Sequence, residues 1–123
     1  MTRAFPILAV LALAALAGAV QARGWLTGPV THVRDGDTIV VAGQPVRLSA
    51  LDCPERDEPG GAAATALMRH LTGGATVTCE LDGTRSYDRV VGYCAARGRD
   101  LGQQMIDAEL CGVYRKFNTE GRY

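Results

Sequence analysis

Turn signals cut this chain into runs too short for long helices or a wide sheet. After the first two dozen residues it reads Trp25–Val33, Thr38–Val41 and Gln44–Leu51, divided by Asp35-Gly36 and Ala42-Gly43. The middle run is β-branched, and Asp-Gly and Gly-containing pairs supply the positive φ that tight hairpin turns need. Three short strands in succession make a meander, and a curled meander closes toward a small barrel. Pro54 has no N–H to donate and disfavours helix at Cys53, so the third strand ends near that point.

Beyond a polar loop, Glu55 to Gly61, the pattern changes. Ala62 to Leu71 is alanine-rich and predicts a helix with Ala63, Leu67 and Leu71 on one face, stopped by Gly73-Gly74. Ala75–Leu81 alternates as a fourth strand and Val90–Ala95 as a fifth, with Asp82-Gly83 opening their connection. Asp100 with Gln103 forms a capping-box-like start to a second helix, Leu101–Leu110. That helix carries Leu101 and Met105 on one face, with Ile106 and Leu110 beside it. Arg115 to Tyr123 is polar and has no period. Periodicity therefore defines a small, β-rich α+β domain with two helices.

The first residues read as a leader and not as part of that domain. Arg3 is followed by an Ala/Leu run from Phe5 to Val20, 16 residues long, whereas a spanning helix needs roughly 20. Val20-Gln21-Ala22 offers small residues for cleavage. The expectation is a signal peptide over 1–22, a domain over 23–123, no lasting membrane anchor, and residence in the periplasm or outside the cell. An oxidising compartment makes the four cysteines readable as two disulfides. No Cys-x-x-Cys pair occurs and the two histidines, His32 and His70, lie far apart, which argues against structural zinc.

Charge adds a constraint. Without Arg3 the chain holds twelve basic residues against thirteen acidic, and eleven of the twelve are arginine. A non-specific nucleic-acid binder carries a basic surplus. Any phosphate binding must instead be local, and arginine suits it because its fork meets phosphate bidentately.

The local candidates fall in three pieces: Asp35-Gly36-Asp37-Thr38, then Arg47-Leu48-Ser49-Ala50-Leu51-Asp52-Cys53-Pro54-Glu55, then Tyr87-Asp88-Arg89. They contain carboxylates for a hard cation, guanidinium groups for phosphate and a further carboxylate within reach of water. Each piece alone is also an ordinary turn, an ion pair or a solvated hairpin. In this order and spacing they resemble the thermonuclease, or staphylococcal nuclease-like, family. That family carries Asp-Gly-Asp-Thr, Arg-(four residues)-Asp-x-Pro-Glu and Tyr-Gly-Arg.

The resemblance implies a five-stranded barrel of the oligonucleotide/oligosaccharide-binding (OB) type with two helices. It also implies calcium-dependent endonuclease activity on DNA and RNA. Asp37 and Asp52 match the calcium carboxylates, and the position of Cys53 offers its carbonyl. Arg47 and Arg89 match the phosphate-clamping arginines, Glu55 the residue that positions or deprotonates water, and Tyr87 a tyrosine beside the phosphate. The glycine of Tyr-Gly-Arg is Asp88 in this chain, which sets an anion next to Arg89. The expected partner is nucleic acid and the expected state a monomer. The alternative is a non-catalytic barrel of the same fold that binds nucleic acid or a protein.

Geometry adds two requirements. Residues 47, 49 and 51 share one face of a flat strand while Asp52 faces the other way, so Arg47 and Asp52 converge only if the strand bends or ends between them. Cys79 and Cys94 fall opposite each other if the fourth and fifth strands form a hairpin centred near Ser86-Tyr87. That bridge closes a loop of about 15 residues, worth about 3 kcal/mol in the chain-entropy model. Cys53 and Cys111 remain as the second pair, one of three possible connectivities.

Overall fold

The structure, a computed structural model, describes residues 23–123. The expected leader, residues 1–22, lies outside the described residues. The remainder forms a five-stranded mixed β-barrel with two helices, as expected.

Strand β1 (Arg23–Asp35) is long enough to serve two neighbours. Its first half pairs antiparallel with β5 (Thr76–Ser86), from Arg23↔Asp82 to Pro29↔Thr76. Its second half pairs with β2 (Thr38–Val41), from Val30↔Val41 to Asp35↔Thr38, through two register shifts that bend it. β2 pairs with β3 (Gln44–Leu48), and β5 with β6 (Arg89–Ala96). A parallel pairing of β3 with β6, Val46↔Val90 to Leu48↔Gly92, closes the barrel. Closure removes the free edges at which a sheet would pair with another chain.

Strand alternation fills the interior. Val33, Ile39, Val41, Val46, Leu48, Val77, Cys79, Leu81, Val90 and Cys94 are all buried in one core with Leu101 and Met105. The Cys79–Cys94 disulfide joins a directly opposed pair of β5 and β6. Leu101 and Met105 come from α2 (Leu101–Asp107), which packs against β6; each is fully buried and contributes about 1.5–3 kcal/mol. The Asp100 carboxylate caps α2 by accepting the Gln103 N–H at 2.8 Å. The reciprocal half of a capping box is absent, because the Gln103 amide bonds Asp107 instead.

Three local expectations change, and the tail, which carried no pattern, takes a fixed place. The third strand does not run from Gln44 to Leu51: it stops at Leu48, and Ala50 turns the chain with φ 59°. Leu51–Asp52 then forms a separate two-residue strand, β4, paired with another short strand, Gly112–Val113. α1 (Gly61–Thr72) buries Ala64, Thr65, Met68 and Thr72, while Ala63 is exposed and Leu67 and Leu71 only half-buried. Threonine reads as polar, but the Thr65 and Thr72 hydroxyls donate to the carbonyls four residues back and can face the core. α2 ends at Asp107, three residues early, since the left-handed Glu109 folds the chain back and brings Cys111 to Cys53. Finally, the tail is docked. Tyr123 donates its hydroxyl to Asp100 and packs edge-on to Tyr93, and Arg122 lies over Tyr93 and pairs with Glu80 and Glu120. Burial, then the Asp100 carboxylate, push the Tyr123 phenol upward in pKa.

Candidate active site

The three sequence pieces meet at one rim of the barrel, and strand register explains why. Thr38 opens β2 opposite Arg47 of β3, and β3 lies beside β6, which begins at Arg89. Leu48 donates its N–H to the Asp37 carbonyl at 2.8 Å and locks the Asp35–Asp37 turn onto the end of β3. Gly36 sits against Cys53 and Ala64 so closely that a Cβ there would come within 2.9 Å of the Ala64 methyl and 3.1 Å of the Cys53 Cβ. The absence of a side chain at position 36 therefore lets the Asp37 turn settle beside the Asp52–Cys53 segment.

Arg89, Thr38, Asp37 and Arg47 form a continuous chain of polar contacts. Arg89 Nη1 donates to Thr38 Oγ1 at 3.1 Å, and the Thr38 hydroxyl donates to Asp37 Oδ1 at 2.9 Å. Asp37 Oδ2 lies 3.5 Å from Arg47 Nη2. The acidic partner of Arg47 is thus Asp37, not Asp52. Asp37 is buried, and burial pushes its carboxyl up to about 6. Arg47 opposes that rise, while the neighbouring Asp35 adds to it.

Arg47 also shapes the loop that follows it. Its Nη1 donates to the Leu48 carbonyl and its Nη2 to the Leu51 carbonyl, both at 2.7 Å. The guanidinium thereby clasps the turn through Ser49-Ala50 that reverses the chain before Asp52. This is the strand ending that convergence required. Asp52 is exposed next to Cys53, which is buried and bonded to Cys111.

Glu55 stands on the exposed loop just beyond. Its N–H donates to the Glu58 carboxylate at 2.9 Å, and its carbonyl accepts the Glu58 N–H at 3.0 Å. A Cβ at Gly61 would collide with that same carbonyl, so glycine at the start of α1 lets the loop lie down on the helix. Tyr87 is 94% exposed with φ 59°, its ring 5.8 Å from the Arg89 guanidinium. Asp88 does not pair with Arg89; both of its oxygens accept from Arg34.

A groove of about 570 Å³ leaves this rim, running from Arg47 past Arg85 and Tyr93 to Tyr114 and Phe117. Tyr114 and Phe117 are exposed and face each other at 4.9 Å between ring centroids. Among the described residues, no three His, Cys, Asp or Glu side chains converge as a closed metal cage. Asp37 and Asp52 stand on the two segments that the bare Gly36 lets approach, and both offer carboxylate oxygen. Oxygen donors of that kind suit a hard cation that keeps several of its waters.

Two residues of the site carried no role in the sequence. Thr38 was visible within Asp-Gly-Asp-Thr, but its bridging hydroxyl depends on a partner 51 residues away. Ser86 holds Arg89 through its carbonyl at 3.1 Å and its Oγ at 2.6 Å, with no pattern to announce it.

A closed five-stranded barrel with carboxylates and arginines gathered on one rim defines a protein of the OB type. Residues 45–123 match the family model described as staphylococcal nuclease homologue, and the chain belongs to that family. The Asp35–Thr38 turn precedes the matched segment and joins the site through the contacts above. An Escherichia coli protein named uncharacterized endonuclease is 35% identical over 98 residues, covering 76% of this chain and 64% of the relative. The succinoglycan biosynthesis protein ExoI of Rhizobium meliloti (strain 1021) is 35% identical over 103 residues, covering 74% of this chain and 53% of the relative. The chain thus spans less than two thirds of the length of these relatives.

Proposed function

We propose that the protein is a calcium-dependent endonuclease that hydrolyses phosphodiester bonds of DNA and RNA outside the cytoplasm. The observation that carries this reading is the contact chain Arg89–Thr38–Asp37–Arg47, which gathers two guanidinium groups around one buried carboxylate. A structural ion pair needs one arginine, whereas in-line attack on a diester builds charge on two non-bridging oxygens and uses two forks. Family membership supports the reaction class, and the name of the Escherichia coli relative agrees with it.

Asp37, Asp52 and the Cys53 carbonyl would hold the calcium ion. Bound there, calcium supplies Lewis-acid stabilisation of the charge that grows on the phosphate. Arg47 and Arg89 grip the phosphate oxygens, and Tyr87 flanks it. Glu55 orients the attacking water and takes its proton. The strand continues along the groove, where Tyr114 and Phe117 present faces on which a base stacks. Two disulfides, together with the leader expected over 1–22, support an oxidising compartment.

The test is digestion of plasmid DNA and of RNA by oxidised protein, with calcium and with chelator. Cleavage of both that depends on calcium is expected. Intact substrate in calcium would overturn the assignment and favour the non-catalytic binding module.

A further inference from the structure

The Tyr87-Asp88 turn is gripped by strands other than its own. Arg34, near the end of β1, donates Nη1 to Asp88 Oδ1 at 3.0 Å and Nη2 to Oδ2 at 2.7 Å. Gln44, at the start of β3, donates its amide to the Asp88 carbonyl at 3.4 Å. Arg89 turns the other way, toward Ser86 and Thr38. Two adjacent residues of opposite charge are therefore directed to different partners, one on each side of the turn.

Without Arg34, the strongest cation beside the Asp88 carboxylate is Arg89 itself. The two already feel each other: Arg34 dominates the depression of the Asp88 pKa, and Arg89 contributes to it. An Asp88 released onto Arg89 would compete with phosphate for the same guanidinium donors. Arg34 and Asp88 are well exposed, at 39% and 59% of their side-chain surface. A pair that wet is screened and adds little to fold stability. Its consequence is local, on which anion Arg89 meets.

We propose that Arg34 is a positioning residue for Arg89. Its fork sequesters the Asp88 carboxylate and anchors the turn, leaving Arg89 open to phosphate. The inference rests on the reading of Arg89 as a phosphate ligand, and the experiment separates the two.

Wild type is compared with Arg34→Ala, Arg34→Lys, Asp88→Gly, the double variant R34A/D88G, and Arg89→Ala. Each oxidised protein is measured for cleavage of a short single-stranded oligonucleotide in calcium. Each is also measured for binding of the same labelled oligonucleotide in chelator, which reads the phosphate grip without turnover. Thermal midpoints confirm folding. Arg34→Ala is expected to weaken binding and kcat/KM by roughly 10-fold at an unchanged midpoint. Arg34→Lys falls between, because an ammonium is a point charge and not a fork. Asp88→Gly alone binds at least as well as wild type. R34A/D88G returns to within about twofold of wild type, since the competing carboxylate is gone. Arg34→Ala behaving as wild type, or a loss that persists in R34A/D88G, overturns the positioning role. Wild-type binding and cleavage by Arg89→Ala overturns the underlying phosphate reading, and the positioning role with it. A loss in Arg89→Ala with none in Arg34→Ala overturns the positioning role alone.

Discussion

The two disulfides mark two regions of this small barrel that are built by different rules. Cys79–Cys94 lies in the wall, where β5 and β6 pair in register and both sulfurs face an apolar interior. Cys53–Cys111 lies at the rim, between a loop that follows a two-residue strand and the return from α2. Wall geometry repeats, so each residue there is interchangeable with another of like volume at modest cost. Rim geometry does not repeat. It depends on Arg47 holding two carbonyls, on Ala50 in a left-handed conformation and on a bare Cα at Gly36. The wall supplies stability and the rim spends its contacts on placing charge.

The sharpest way to break that division is to alter the rim and look for damage in the wall. Asp37→Asn is expected to lower cleavage about 1,000-fold, the several kcal/mol a bound cation supplies. The metal-free thermal midpoint should stay level or rise, because a desolvated carboxyl is replaced by a neutral amide. Arg89→Ala should cost about 100–1,000-fold in kcat, the scale of one charge-stabilising donor, with little change in denaturant midpoint. Arg47→Ala should match that loss of rate and also destabilise by about 1–3 kcal/mol, since the Leu48 and Leu51 carbonyls lose their donor. Equal stability losses in the two arginine variants would show that the rim is not partitioned this way.

Removing each disulfide by paired Cys→Ala substitution sharpens the comparison. The bridges close loops with sequence separations of 58 and 15 residues. The chain-entropy model gives about 4 kcal/mol for the first and about 3 kcal/mol for the second. Stability alone would therefore rank them close together. Activity at a temperature where both variants remain folded should separate them. C79A/C94A keeps its kcat, while C53A/C111A loses at least tenfold as the Asp52 loop drifts. Denaturant melts and steady-state kinetics on the two variants decide it.

The wall was legible from the sequence because its rules are local. Thr38–Val41 is β-branched and the run after Gly74 alternates, turn residues bracket them, and the Cys79–Cys94 pairing follows once a hairpin is placed near Ser86-Tyr87. The rim was legible only as a set of charges. The stop at Leu48 rests on an alanine at φ 59°, and alanine gives no sign of that conformation as glycine would. Which face of α1 points inward depends on Gly36 receiving Ala64, a contact 28 positions apart. The docking of Tyr123 on Asp100 and the diversion of Asp88 to Arg34 join residues 23 and 54 apart. No periodic signal reaches that far, because each is a single side chain meeting a single partner.

The smallest effect concerns the proton on Asp37. Its folded pKa lies above the unfolded value, 3.8 raised to about 6, so the folded state binds this proton more readily. Between those values the folded protein holds more protons than the unfolded one. Metal-free stability should therefore fall as pH rises from about 4 to about 6, by about 1–3 kcal/mol from this group, and level off above. Asp37→Asn removes that slope, so subtracting its stability curve from that of wild type isolates the contribution. Calcium reverses the sign: the cation needs the ionised carboxylate, so added calcium should stabilise little near pH 4 and most above about pH 6. A wild-type minus D37N difference that is flat from pH 4 to 6 would mean that Arg47 fully offsets the burial of Asp37. The carboxylate would then be poised by its arginine and not by desolvation.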